Sequence, residues 1–163
     1  MLNSPSFSLR LAILTGATLA ACAATPAIAA DSADLGVSAT VSEVCNVTTL
    51  PVAFGTIDVT TASNTDATGS FTVVCTNGTA WTAAADAGDG TGASTAARKM
   101  TSGSDLLNYS LYTDTDRSVN FVGATGTGSG AGQLNTIYGR VPSGQTSVPT
   151  GSYVDSVVVS LSY

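Results

Sequence analysis

Few residues in this chain could do chemistry. Histidine is absent, so neither a Ser-His-Asp nor a Cys-His relay can be assembled. Of the three cysteines, Cys22 falls within an apolar leader, which leaves Cys45 and Cys75. In an oxidising compartment these two allow a single intramolecular pairing. Their disulfide would close a loop of about 30 residues and contribute on the order of 3 kcal/mol. Two cysteines without histidine make a poor zinc shell, so neither a metal nor a cofactor is expected. Carboxylates occur in pairs, Asp86 with Asp89 and Asp114 with Asp116, a type of residue that serves acid/base or Ca²⁺ chemistry. Their glycine and threonine neighbours, and the lack of a complete calcium loop, read instead as solvated loop aspartates.

Other suggestive residues are equally weak. Gly88-x-Gly90 and Gly126-x-Gly128 have the spacing of nucleotide loops, but no helix follows to receive a pyrophosphate. Trp81, Tyr109, Tyr112, Tyr138, Tyr153 and Tyr163 could build a sugar platform. At alternating positions they read first as core residues and cross-strand pairs. Arg98, Lys99 and Arg140 are too few for a basic patch and are expected to pair with surface aspartates for little energy. The expectation is a protein that is not an enzyme.

The elements that carry these residues begin with an export segment. Residues 1–30 read as a secretory signal: Arg10, an apolar stretch from Leu11 to Ala24, and the small-x-small triplet Ala27-Ile28-Ala29. The stretch is shorter than the roughly 20 residues of a spanning helix. Leu19-Ala20-Ala21-Cys22 also fits a lipoprotein cleavage pattern, which gives a lipid anchor through Cys22 as the alternative. All 11 acidic residues follow Ala30, whereas Arg10 precedes it, so the mature part is more acidic than the formal charge of −6 for the whole chain. That disfavours nucleic acid as a partner, since phosphate neutralisation needs clustered Lys and Arg. Residues 31–163 suit a single domain.

No apolar period of 3.6 appears outside the leader, and strand-like runs recur with turn signals between them, so the domain reads as all-β. The runs are Val44 to Leu50, a short one ending in Phe54-Gly55-Thr56-Ile57, Phe71 to Cys75, Leu107 to Thr113, Val119 to Val122 and Thr136 to Val141. Asn77-Gly78 predicts a type I′ hairpin from about Gly69 to Ala85, with Trp81 on the return strand. Polar residues 60–68 and the glycine-rich stretch from Gly123 to Gly132 predict loops, the second of them mobile. The last run interleaves Tyr153, Asp155, Val157, Val159, Leu161 and Tyr163 with Val154, Ser156, Val158, Ser160 and Ser162, a C-terminal strand with a face worth burying. Eight or nine strands at spacings near ten residues favour an Ig-like β-sandwich.

Ahead of Cys45, Leu35, Val37, Ala39 and Val41 alternate with Gly36, Ser38, Thr40 and Ser42. This is a strand with one apolar face, on which Ala39 is the smallest residue. It can pair within its own domain or complete a neighbour's sheet. With Phe54-Gly55, Phe71-Thr72-Val73-Val74-Cys75, Arg98-Lys99-Met100, Leu107-Asn108-Tyr109-Ser110-Leu111-Tyr112-Thr113-Asp114, Tyr138-Gly139-Arg140-Val141-Pro142 and the ending from Gly151 to Val159, the chain resembles the spore coat protein U domain family. That family includes the pilins of archaic chaperone–usher, Csu-type, pili. The resemblance spans Ala33 to Tyr163, and the order and spacing of these segments carry it.

The resemblance implies an incomplete Ig-like sandwich, held in the periplasm by a chaperone strand and finished in the fibre by the N-terminal strand of the next subunit. Residues 31–43 would be the donor strand, with Leu35, Val37, Ala39 and Val41 as its anchors. Partners would be neighbouring pilin subunits, a periplasmic chaperone and an outer-membrane usher. The protein would reach the cell surface as a pilus subunit supporting adhesion and biofilm formation. Its size favours a shaft or minor subunit over a two-domain tip. The alternative is a surface-coat or carbohydrate-binding adhesin module of the same fold that does not polymerise.

Overall fold

The structure is a computed structural model that describes residues 29–163; the export segment and the lipidation alternative at Cys22 lie outside the described residues. Among the described residues eight strands follow one another: β1 Cys45–Leu50, β2 Thr65–Cys75, β3 Ala80–Ala85, β4 Arg98–Ser102, β5 Asp105–Tyr112, β6 Gly123–Thr127, β7 Gln133–Val141 and β8 Val159–Ser162. They form a five-stranded sheet in the order β1-β2-β7-β5-β4 and a three-stranded sheet in the order β6-β3-β8. Every pairing is antiparallel. The fold is therefore the all-β sandwich that the strand periodicity predicts.

Alternation along the strands supplies the core. On β2 Phe71, Val73 and Cys75 are buried, on β3 Trp81, Ala83 and Ala85, and on β5 Leu107, Tyr109 and Leu111. Ile137, Val141, Met100 and Phe121 join them. Residues two apart along a strand share a face, so the two sheets bring these sets together and leave Thr72, Thr82 and Asn108 on the outer sides. Phe71 and Phe121 meet with ring centroids 5.6 Å apart.

Four local expectations are corrected. Residues 60–68 are not loop throughout, because β2 begins at Thr65 and its first four residues pair with Tyr138 to Val141 of β7. Asn77-Gly78 makes a turn but not a hairpin: β2 and β3 belong to different sheets, so the turn carries the chain from one layer to the other. Thr79 N donates to Thr76 O at 3.1 Å, and the positive φ falls on Gly78 alone, at 88°, the type II pattern and not the I′ that strand pairing needs. The glycine-rich stretch is not a mobile loop over its first half, because Gly123–Thr127 pairs with β3. Its glycines serve close approach: a Cβ on Gly126 would fall onto the Trp81 ring. Val119 to Val122 is no strand of its own; Phe121 N donates to Leu111 O at 2.8 Å and Asn120 bridges to Tyr112.

A disulfide fastens the outer edge of the five-stranded sheet, and a buried arginine ties that sheet to the segment that follows β3. Cys45 and Cys75 form a disulfide between paired positions of β1 and β2. Arg98 lies at the start of β4 with no exposed surface, against the expectation of a surface ion pair. Its Nε and Nη2 donate to Asp86 O at 3.2 and 2.7 Å, Nη2 also to Phe121 O at 3.0 Å, and Nη1 to Thr95 O at 2.7 Å. The planar fork thus gathers three backbone carbonyls of otherwise irregular segments. Burial pushes its pKa below the ordinary guanidinium value, yet an arginine stays charged.

Two outcomes follow. Replacing both Cys45 and Cys75 by serine lowers unfolding free energy in urea by about 3 kcal/mol, the entropy of a loop of this length. Arg98→Met keeps the volume but strands the carbonyls of Asp86, Thr95 and Phe121, so urea denaturation shows a loss on the order of 3 kcal/mol or more.

Candidate functional site

The apolar faces of the two layers do not close on each other everywhere. After Leu50, the chain leaves the β1–β2 ladder at Pro51, which has no N–H to continue it. Val52, Phe54 and Ile57 then turn inward while Ala53, Gly55 and Thr56 face out. The parity shifts by one at Gly55, whose φ is 67°. Val52 and Phe54 pack onto the backbone at Gly139, where a Cβ would meet both side chains. Among the described residues no backbone hydrogen bond joins 51–57 to another segment.

A second edge faces this one. From Tyr153 to Ser162 burial alternates without a break, with Tyr153, Asp155, Val157, Val159 and Leu161 half-buried and the residues between them exposed. The apolar face expected of the C-terminal strand is there, but regular pairing is confined to Val159–Ser162 on β3. The physical reason is a change of layer. Val154 exchanges two backbone hydrogen bonds with Thr101 of the five-stranded sheet, whereas Val158 O accepts from Asp86 N at 3.1 Å beside the three-stranded one.

Between the two edges lies a groove with a cavity volume of about 330 Å³. One wall is Thr49 to Val52 with Phe54, the other Tyr153 to Asp155 with Val157 and Val159. Its floor comes from buried residues of the five-stranded sheet, among them Phe71, Tyr109, Leu111 and Ile137. A second cavity of about 560 Å³ continues past Val52, Phe54, Met100 and Tyr153 towards Val148 and Pro149. Leu50 on the rim is 67 % exposed. The groove is thus long, apolar and bordered by two edges of strand-like chain.

One polar network holds the C-terminal wall. Asp155 Oδ1 accepts from Asp89 N at 2.7 Å and from Ser156 N at 2.9 Å, and Oδ2 accepts from the Tyr109 hydroxyl at 2.5 Å. Burial and this anionic neighbour push the Tyr109 hydroxyl far above the ordinary phenol range. Asp86 Oδ1 accepts from Gly88 N at 3.0 Å and Val158 N at 2.9 Å. Asp86 and Asp89 are exposed loop residues, as their neighbours predict, and the carboxylate of the first and the backbone N–H of the second also fasten the wall.

The remaining sequence candidates are dispersed. Asp114 accepts from Val119 N, Ser118 N and the Ser118 hydroxyl, and these bonds hold its carboxyl below the usual range. Arg140 pairs with Asp66 through two hydrogen bonds, which lowers the Asp66 pKa, and Arg117 joins at 3.3 Å. Trp81 and Tyr109 lie in the core and Tyr153 on the groove wall, while Tyr112 and Tyr138 pair directly across β5 and β7. No common aromatic platform forms from the six. Among the described residues no group of three or more His, Cys, Asp or Glu is placed to hold a metal, and no helix is long and apolar enough to cross a membrane.

Residues 30–44 belong to no strand, and Leu35, Val37 and Val41 are 88, 87 and 83 % exposed. Ala39 is exposed as well. The wall from Thr49 to Phe54 and the Tyr109–Asp155 bond went unread in the sequence. The alternation of Leu50, Val52 and Phe54 is the signal that could have shown the first.

Comparison with known proteins fits this architecture. No curated protein matches the chain. A chain from the crystal structure of the CsuC–CsuE chaperone–tip adhesion subunit pre-assembly complex, from archaic chaperone-usher Csu pili of Acinetobacter baumannii, is similar with a TM-score of 0.59 at 19 % identity. The match covers 76 % of this chain and 40 % of that one, and the likeness is one of fold. The family model of the Spore Coat Protein U domain matches residues 31–160, nearly the whole of the described chain. The protein belongs to the Spore Coat Protein U domain family.

Proposed function

We propose that this protein is a structural subunit of a surface pilus assembled by the chaperone–usher route, in which residues 31–43 of one subunit complete the groove of the next. The groove carries the reading. It has an apolar floor, two edges and room between them, and the same chain bears an exposed segment of matching pattern. Leu35 to Val41 spans about 20 Å as a strand and so fits within the roughly 27 Å from Tyr153 to Leu161 at the same rise.

Insertion would satisfy backbone groups on both edges and bury Leu35, Val37 and Val41, each contributing roughly 1.5–3 kcal/mol if fully buried. An uncovered edge over apolar surface is an aggregation hazard. A periplasmic chaperone strand in the same groove would protect the subunit until an outer-membrane usher exchanges it for the next subunit. Because donor and acceptor are different surfaces, the contact is head-to-tail and generates an open filament. Adhesion and biofilm formation are the roles such a filament serves. The family and the fold of the Csu complex both support this reading.

Val37→Asp and Val41→Asp test it directly, because both side chains are exposed in the subunit and a carboxylate entering the groove is strongly disfavoured. With the cognate chaperone and usher, each variant reaches the periplasm at unchanged level while surface fibres, counted by electron microscopy, are lost. Unchanged fibre yield would overturn the proposal.

A further inference from the structure

The groove's C-terminal wall has one anomalous position. Of the five half-buried residues that alternate along it, Tyr153, Val157, Val159 and Leu161 present apolar surface, whereas Asp155 presents a carboxylate. That carboxylate cannot swing clear, since the Tyr109 hydroxyl at 2.5 Å and the N–H groups of Asp89 and Ser156 hold both of its oxygens. The donor segment has a matching anomaly. Among Leu35, Val37, Ala39 and Val41, one side chain is small.

We propose that Asp155, fixed by Tyr109, sets the register of the incoming strand by reserving the place opposite it for Ala39 of the neighbouring copy; the inference rests on the strand-exchange reading above. Register shifts by one residue turn every anchor outward and are excluded by the floor. Shifts by two keep the anchors inward, so the apolar floor alone does not choose between them. The carboxylate does. A branched Val37 or Val41 against Asp155 would displace the water around a charge that has no countercharge at ion-pair distance among the described residues, a costly desolvation. Ala39 leaves space for that water.

With Ala39 opposite Asp155 and the strands antiparallel, Val41 meets Tyr153, Val37 meets Val157 and Leu35 meets Val159. All three contacts are apolar. Run parallel, Leu35 would face Gly151 and lose its contact. One small residue and one carboxylate thereby specify both position and direction, and Asp155 acts as a specificity-determining residue of the acceptor.

Cysteine pairs in the full-length chain, expressed with its chaperone and usher, read the register. Val37→Cys combined with Val157→Cys gives a ladder that survives boiling and collapses with reductant, while the pairs expected of two-residue shifts, Val37→Cys with Val159→Cys and Leu35→Cys with Val157→Cys, give monomer on boiling. Stronger cross-linking at either of the latter pairs would overturn the register but leave strand exchange standing. A second measurement leaves the whole acceptor wall untouched. Ala39→Leu lowers polymer yield about tenfold or more, and Val37→Leu changes it less than about twofold; equal effects would overturn the inference. Absence of any polymer from the unsubstituted chain would overturn the functional reading, and this inference with it.

Discussion

Backbone hydrogen bonding at the two groove edges is the constraint on which the rest of this structure depends. A strand can be buried only if its N–H and C=O groups find partners, and an edge left open beside apolar side chains invites another chain. Here the stretch after Leu50 and the stretch before Val159 both turn apolar residues inward without a strand between them among the described residues. The three-stranded sheet is consequently the short layer of the sandwich, and the floor of the long layer shows through it. In the proposed fibre, the missing pairing is supplied from outside.

The irregular parts of the fold become intelligible from that gap. The C-terminal segment must change layers while lacking a neighbour on its groove side, so side chains replace the ladder. Asp86 and Asp155 hold Val158, Gly88 and Asp89, and Arg98 in turn holds the carbonyl of Asp86. Each bond to an ionised group is stronger than a neutral one. Together they order the groove's C-terminal wall. A wall ordered in advance loses less entropy when a strand enters.

Much of the architecture was legible because period-two burial is written directly into the residues. The strands around Phe71, Tyr109 and Ile137, and the inward face from Tyr153 to Leu161, follow from alternation alone. What misled was glycine. Asn77-Gly78 has the composition of a hairpin turn, but turn chemistry does not say in which layer the next strand lands. Gly123 to Thr127 has the composition of a loop, yet its glycines make room for Trp81 and for the backbone of β3. Arg98 misled in the opposite sense: a buried guanidinium served only by carbonyls leaves no acidic partner in the sequence to betray it. The groove itself was foreseen through family resemblance, since periodicity shows which face of a strand is apolar but not whether its partner belongs to the same molecule.

The most direct test of strand exchange is electrophoresis in SDS without boiling, on material sheared from the surface of cells that express the protein with its chaperone and usher. Strand exchange gives a ladder of subunit multiples that collapses to monomer on heating, because a non-covalent strand buried in each groove resists detergent until the sandwich melts. A single monomer band before heating, from cells that export the protein normally, would contradict it.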